Sequence, residues 1–331
     1  MAKKFDFVAI GDTVTDAFID FKEGGATHLD IDKGTRELCM RFADKIPYEG
    51  VSVVPAVGNS ANAAVAASRL GLSSALVSNV GGDYFGTECL DALTKAGVST
   101  DFMTIHKGMK TNYHYVLWYD DDRTILVKHE TYPYALPDID DPSWIYLSSL
   151  GENSLPFHGD IEKFVLARPA VKLAFQPGTF QMIFGIEALA GIYRRTNVFF
   201  CNKEEAERIL DVKEKDIKTL LSMMHELGPK IVVITDGPKG AYTYDGSEAL
   251  YLRAYPDPKP PFERTGAGDA FSSTFTVALA LGKDIREALM WGPVNSMSVV
   301  QKIGAQAGLL SGDEIKAYLA KAPSDYVPQK I

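Results

Sequence analysis

Cysteine is scarce: Cys39, Cys89 and Cys201 are the three in 331 residues, far apart and without CxxC or CxxH spacing. That excludes a disulfide scaffold and a zinc motif, and it fits a reducing, cytoplasmic compartment. Long apolar runs are also missing. Charged residues interrupt every apolar stretch well short of the roughly 18 residues of a membrane span, and the early run at 5–10 is too short for a signal h-region. No membrane association is expected. Nor is there a basic excess: 34 Lys and Arg against 43 Asp and Glu give a net charge of −9, so nucleic acid is not an expected partner. No repeat, low-complexity tract or Pro/Gly/Ser linker divides the chain, and a single domain over 1–331 is expected.

What is present is an alternation of short Val-, Ile- and Phe-rich runs with longer stretches of helical period, the pattern of an α/β fold with a mainly parallel sheet. The spacing predicts strands at 5–10, 74–80, 144–150, 171–175, 197–201 and 230–235. Helices are predicted at 60–70, 85–96, 159–167, 203–210, 217–227, 269–281, 285–302 and 312–321. Two segments break the alternation. Residues 20–50 are polar, and 111–128 reads as an antiparallel hairpin turning at 120–123. In it Tyr113, Tyr115, Leu117 and Tyr119 share one face and His114, Val116 and Trp118 the other. Aromatics on both faces point to a lid over a ligand, a homodimer interface, or both; an ordinary edge hairpin is the alternative.

The strongest chemical signal is Arg264-Thr-Gly-Ala-Gly-Asp-Ala-Phe271, a glycine turn running into an apolar helix. Glycines let the backbone approach an anion, and the free N–H groups of a first helical turn stabilise negative charge. A carboxylate at Asp269 would repel a triphosphate unless it stood beside the nucleophile and took its proton. The plain alternative is a helix cap.

Thr265-Gly-Ala-Gly-Asp-Ala-Phe271 resembles the C-terminal signature of PfkB-type carbohydrate kinases, the ribokinase-like family. Further pieces follow in family order. They are Gly58-Asn-Ser-Ala-Asn62 with Arg69-Leu-Gly71, Gly81-Gly-Asp83 with Gly86, Ala96-Gly-Val98, Asn202-Lys-Glu-Glu205, Thr235-Asp-Gly-Pro-Lys-Gly240, Asn295 and Gly304-Ala-Gln306. Several weak motifs in one order are more specific than any one of them.

The resemblance implies a ribokinase-like three-layer α/β/α sandwich with a small β-lid, its segments at about 20–50 and 111–128. It implies ATP-dependent phosphorylation of a hydroxyl on a small sugar, ribose-like or fructose-like. Asp269 would be the base and Gly266, Ala267 and Gly268 the anion hole; Asp16, Gly58, Asn59 and Asn62 would hold the sugar. Asn202, Thr235, Gly237, Gly240, Asn295 and Gly304 would serve ATP, and Glu205 would organise Mg²⁺ through water. Asp16 also reads as a solvated turn residue, and Asn202 with Glu205 as a capping box.

The sequence departs from the family pattern at Val57, where a glycine is usual, and at Glu263 and Arg264, in a stretch that in relatives contributes to a K⁺ site. A nucleoside kinase of the same superfamily is the alternative, since Tyr113, Tyr115 and Trp118 offer rings to stack on a base. A non-catalytic sugar or nucleotide sensor is a further alternative, against which the intact Asp269 argues. A nicotinamide oxidoreductase is not expected, because Gly11 is followed by Asp12 and Thr13 with no GxGxxG.

Overall fold

The structure, a computed structural model, describes residues 4–21, 27–32, 35–119, 122–213 and 216–331. The expected turn at 120–123 and the polar segment 20–50 thus fall partly outside the described residues.

The chain opens with β1 (Phe7–Ile10), β2 (Val14–Phe21), β3 (Thr27–Asp32), β4 (Thr35–Cys39) and β5 (Tyr48–Val57). Then come α1 (Asn59–Arg69), β6 (Ser74–Gly81), α2 (Tyr84–Lys95), β7 (Val98–Ser99), β8 (Met103–His106), β9 (Tyr113–Tyr119) and β10 (Asp122–Leu126). The middle carries β11 (Trp144–Leu147), α3 (Leu155–Leu166), β12 (Lys172–Phe175), α4 (Thr179–Ala188), α5 (Ala190–Arg195), β13 (Val198–Asn202), α6 (Lys203–Leu210), α7 (Ile217–Glu226) and β14 (Ile231–Thr235). Last are β15 (Ala241–Tyr244), β16 (Ala249–Leu252), α8 (Ala267–Ala280), α9 (Ile285–Val299), α10 (Gly312–Leu319) and β17 (Gln329–Lys330).

The main sheet is mixed and mostly parallel, ordered β17-β16-β15-β14-β13-β12-β11-β1-β6-β7 with β8 also on β6. Its period-two pattern feeds two cores. Phe7 and Ala9 of β1 face α1, α2, α8 and α9, whereas Val8 and Ile10 face α3, α5, α6 and α7. Strands β1, β6 and β11 have both faces covered and are buried along their whole length; β1 and β11 are apolar throughout, whereas β6 also buries Ser74, Ser78 and Asn79. This is the expected three-layer architecture.

Differences from the expected elements have local causes. Helix α3 begins at Leu155 because Pro156 sits in its first turn, where a missing N–H costs nothing. Helix α9 stops at Val299. Strand β15, antiparallel to β14, and β16, antiparallel to β15, were not expected; at four residues each they are too short for a clear pattern.

A second sheet of four strands runs β10-β9-β2-β5. It begins at Val14 and takes in Val57, so the long β2 and β5 extend beyond the expected 20–50 segment. The expected hairpin is β9 with β10, in register Leu126↔Tyr115.

Chain order explains where a site can form. From β1 the sheet is built outward in both directions, to β6 on one side and β11 on the other. At such a reversal the loops leaving the carboxyl ends part and open a crevice.

Candidate active site

Four carboxyl-end loops and two helix starts converge at that crevice. Asp269 stands in the first turn of α8, whose N-cap Gly266 has φ 78. Its Oδ2 accepts from Asn62 Nδ2 at 2.8 Å and its Oδ1 from Gln176 Nε2 at 3.0 Å. Asn62 lies on α1, and Gln176 is the residue after β12. Both amides are pinned as donors. The oxygen of Gln176 accepts from Tyr146 Oη at 2.5 Å, and that of Asn62 from Gln306 Nε2 at 2.9 Å. Residue 269 is thus offered two N–H donors, which favours the ionised form. Burial works the other way and is the larger effect: it pushes the Asp269 carboxyl up from its ordinary range, with the Asn62 and Gln176 bonds offsetting part of the rise.

A testable sign follows. A base must be unprotonated to act, so kcat/KM falls as pH drops through a carboxyl pKa that is already raised. Replacing Asn62 by Ala removes a stabiliser of the carboxylate and is expected to move the acid limb of the pH–rate profile to higher pH. An unmoved or lowered limb would contradict the assignment.

A second polar row descends from the small sheet. His114 of β9 places Nδ1 3.4 Å from Asp16 Oδ1 of β2, the pair that β2 and β9 hold in register. His114 Nε2 meets His129 Nε2 at 3.3 Å, and His129 Nδ1 lies 3.6 Å from Asp12 Oδ2. Asp12 in turn accepts from Tyr134 Oη. Asp16 is 8% exposed, and its Oδ1 has no hydrogen-bond donor among the described residues. Gly58 has φ +108, and a Cβ there would meet the Asp12 carbonyl at 2.8 Å. Asn59 begins α1 beside it, half-buried. Val57, at the unusual position, is buried and its carbonyl accepts from Thr13 Oγ1 at 3.1 Å.

On the other side of the glycine turn lies a cavity of about 610 Å³. Thr235, Gly237, Gly240, Ala267 and Gly268 line it, with Arg264, Tyr255 and Phe271. Asn202 and Glu205 form a reciprocal capping box at the start of α6, with both bonds at 2.8 Å. Burial pushes the Glu205 carboxyl up and the Asp269 charge adds to the rise, so the two carboxylates share one electrostatic neighbourhood. Of the residues expected to serve ATP, Asn202, Asn295 and Gly304 are not among those lining this cavity. Asn295 is fully buried, its amide donating to Thr274 Oγ1 and accepting from Leu310 N–H. Its polar atoms are spent inside the helix layer, a polar residue in an apolar helix being as well suited to core bonding as to ligand contact. Gly304 packs near Val54 of β5 and does not line the cavity.

Gln176, Tyr146, Asp12, His129 and Tyr134 were not expected. Gln176 follows β12 directly and Asp12 follows β1 after Gly11, both at the carboxyl edge, and that position was a usable signal. The contact between His114 and His129 depends on a loop path that spacing alone does not give.

The sequence profile of the pfkB family of carbohydrate kinases matches residues 49–311. A ribokinase from Bacillus subtilis is 28% identical over 300 residues, covering 84% of this chain and 94% of its own. Among solved structures, the Methanocaldococcus jannaschii nucleoside kinase superposes with TM-score 0.75 at 19% identity, covering 97% of this chain and 100% of its own. The Arabidopsis thaliana ribokinase complexed with ribose and ATP does so with TM-score 0.76 at 19% identity, covering 96% and 99%.

Proposed function

The chain belongs to the pfkB family of carbohydrate kinases, and from that premise we propose that it transfers the γ-phosphoryl of ATP to a hydroxyl of a small sugar, ribose-like or fructose-like, with Asp269 as base. The observation that carries this reading is the shared helix start: a carboxylate held by two N–H donors stands one residue from a glycine turn that also lines a nucleotide-sized cavity. ATP in that cavity would direct its phosphates at the N–H groups of Gly266, Ala267 and Gly268. A sugar on the opposite side would be gripped by Asp16, Gly58, Asn59 and Asn62. The buried Asp16 Oδ1, which His114 Nδ1 approaches only to 3.4 Å, supports this, because a substrate hydroxyl would give it the hydrogen bond it otherwise lacks. Asp269 would then take the hydroxyl proton as the oxygen attacks phosphorus in line. The small sheet, carrying Asp16 and His114, would act as a lid that keeps water from the phosphoryl group.

Glu205 fits a water-mediated Mg²⁺ site, since its carboxyl is buried beside a second negative charge and a cation would relieve both. When bound, the ion would neutralise phosphate charge. Glu263, one of the departures in the stretch that in relatives contributes to a K⁺ site, faces the Arg123 guanidinium at 3.4 Å. Rates are accordingly expected to be similar in KCl and choline chloride; a strong K⁺ requirement would contradict this.

A nucleoside is the second reading, favoured by Trp118, whose ring lies on the same face of β9 as His114 and could meet a base. ADP release with ribose, fructose, other ketoses and nucleosides separates the two. Rates above background with nucleosides alone would replace the sugar reading.

The outer face of the small sheet supports a homodimer. A row across its strands runs Val53, Ala17, Tyr115, Leu126, and Val53, Tyr115 and Leu126 are 50%, 48% and 52% exposed. Ala17 in that row is buried, and the three exposed apolar side chains around it would face a second copy. Sedimentation should give a dimer that Val53→Glu with Tyr115→Glu converts to monomer; a wild-type monomer at micromolar concentration would reject it.

A further inference from the structure

The segment 256–265 has two faces. Pro256, Asp257, Pro261 and Arg264 line the large cavity. Between them Phe262 and Glu263 turn to the small sheet. Trp118 of β9 meets the Phe262 ring edge-on with centroids 5.1 Å apart, and Arg123 of β10 brings Nη1 to 3.4 Å from Glu263 Oε1. Glu263 is 5% exposed. The same Oε1 accepts from the Thr265 N–H at 2.6 Å and from the Thr265 hydroxyl, and Thr265 leads directly into Gly266, the N-cap of α8. One carboxylate oxygen therefore joins the small sheet to the start of the glycine turn.

A carboxylate this deeply buried is costly without a countercharge, and the cation facing it comes from the small sheet. Its shape also matters. Two hydroxyl and amide bonds from Thr265 fix the backbone just before Gly266, so a shift of Glu263 moves the N–H groups that follow.

We propose that Arg123 is a positioning residue: acting through Glu263, it holds the turn at Thr265 and Gly266 in shape for nucleotide phosphates, and so links occupancy of the cavity to docking of the small sheet. The proposal rests on reading that cavity as the nucleotide site. It goes further by naming the side-chain pair that lets one side of the site sense the other.

The test is calorimetric titration with a non-hydrolysable ATP analogue and Mg²⁺, paired with Trp118 emission taken as wild type minus Trp118→Phe. The analogue is expected to bind wild type and to change Trp118 emission with the same midpoint. Arg123→Met should weaken binding by about tenfold or more and abolish the emission change. Arg123→Lys, which keeps the charge, should fall between. Arg123→Met combined with Glu263→Gln removes both charges and should recover most of the lost affinity, a rescue that general damage to the fold would not produce. Wild-type affinity in Arg123→Met, or a double variant binding no better than Arg123→Met, overturns the proposal. Should Arg123→Met not fold, Arg123→Lys decides alone: wild-type affinity with an unchanged emission response overturns it. A folded wild-type protein that binds no analogue sinks the nucleotide reading itself, a result distinct from all of these.

Discussion

Asp269→Asn is expected to lower turnover by about 10² or more, the scale on which removal of a general base acts, while ATP-analogue binding stays within a few-fold of wild type. The reason is the division of labour at the start of α8. The phosphates are assigned to backbone N–H groups, which the substitution leaves in place, and the proton to a carboxylate that two pinned amides hold in one orientation. Steady-state ADP release checks turnover, and calorimetry checks binding. Equal loss of binding and turnover would point instead to collapse of the turn. Near-normal turnover would remove Asp269 from the role of base.

Gly266→Ala is expected to be nearly as damaging through a different route. Gly266 has φ +78, a conformation that costs an L side chain roughly 1–2 kcal/mol. A Cβ there would also stand 2.2 Å from Ala305 Cβ and 2.6 Å from Ala305 Cα, so the turn or the loop through Ala305 must shift. That overpacking adds about 1–3 kcal/mol. The same loop carries Gln306, which fixes Asn62 and donates to the Ala56 carbonyl at 2.7 Å. Displacing it therefore disturbs the anion hole and the support of Asp269 together. Turnover is expected to fall by at least about tenfold, with a lower thermal unfolding midpoint. Unchanged turnover and an unchanged midpoint would show that the tight packing of Gly266 has no bearing on the chemistry.

Most strands in the middle of the main sheet were legible because burial on both faces makes them apolar runs, as in Val8 to Ile10 and Val232 to Ile234. Helix ends were legible where a side chain caps them, as at Asp284 and Ser311. The small sheet was harder to read. Strand β5 has only its last residues buried, and a half-exposed strand with Pro55 and Gly50 in it carries little of the alternation that identifies strands. At the site, the glycine turn and Asp269 stood out because special backbone geometry demands special residues. Gln176 and His129 did not, since a glutamine or histidine acquires meaning from what it touches. Asn295, named for ATP through the family resemblance, is buried and bonds to Thr274 and Leu310, contacts that its place in the sequence does not reveal.

The central claim is an acceptor oxygen flanked by the Asp269 carboxylate and the amides at the start of α8. A crystal structure with a turned-over sugar and a non-hydrolysable ATP analogue tests it most directly. The account predicts one sugar hydroxyl about 2.6–3.2 Å from an Asp269 oxygen, with the terminal phosphate against the N–H groups of Gly266 to Gly268. A sugar bound away from Asp269, or a terminal phosphate bound away from that turn, would contradict it.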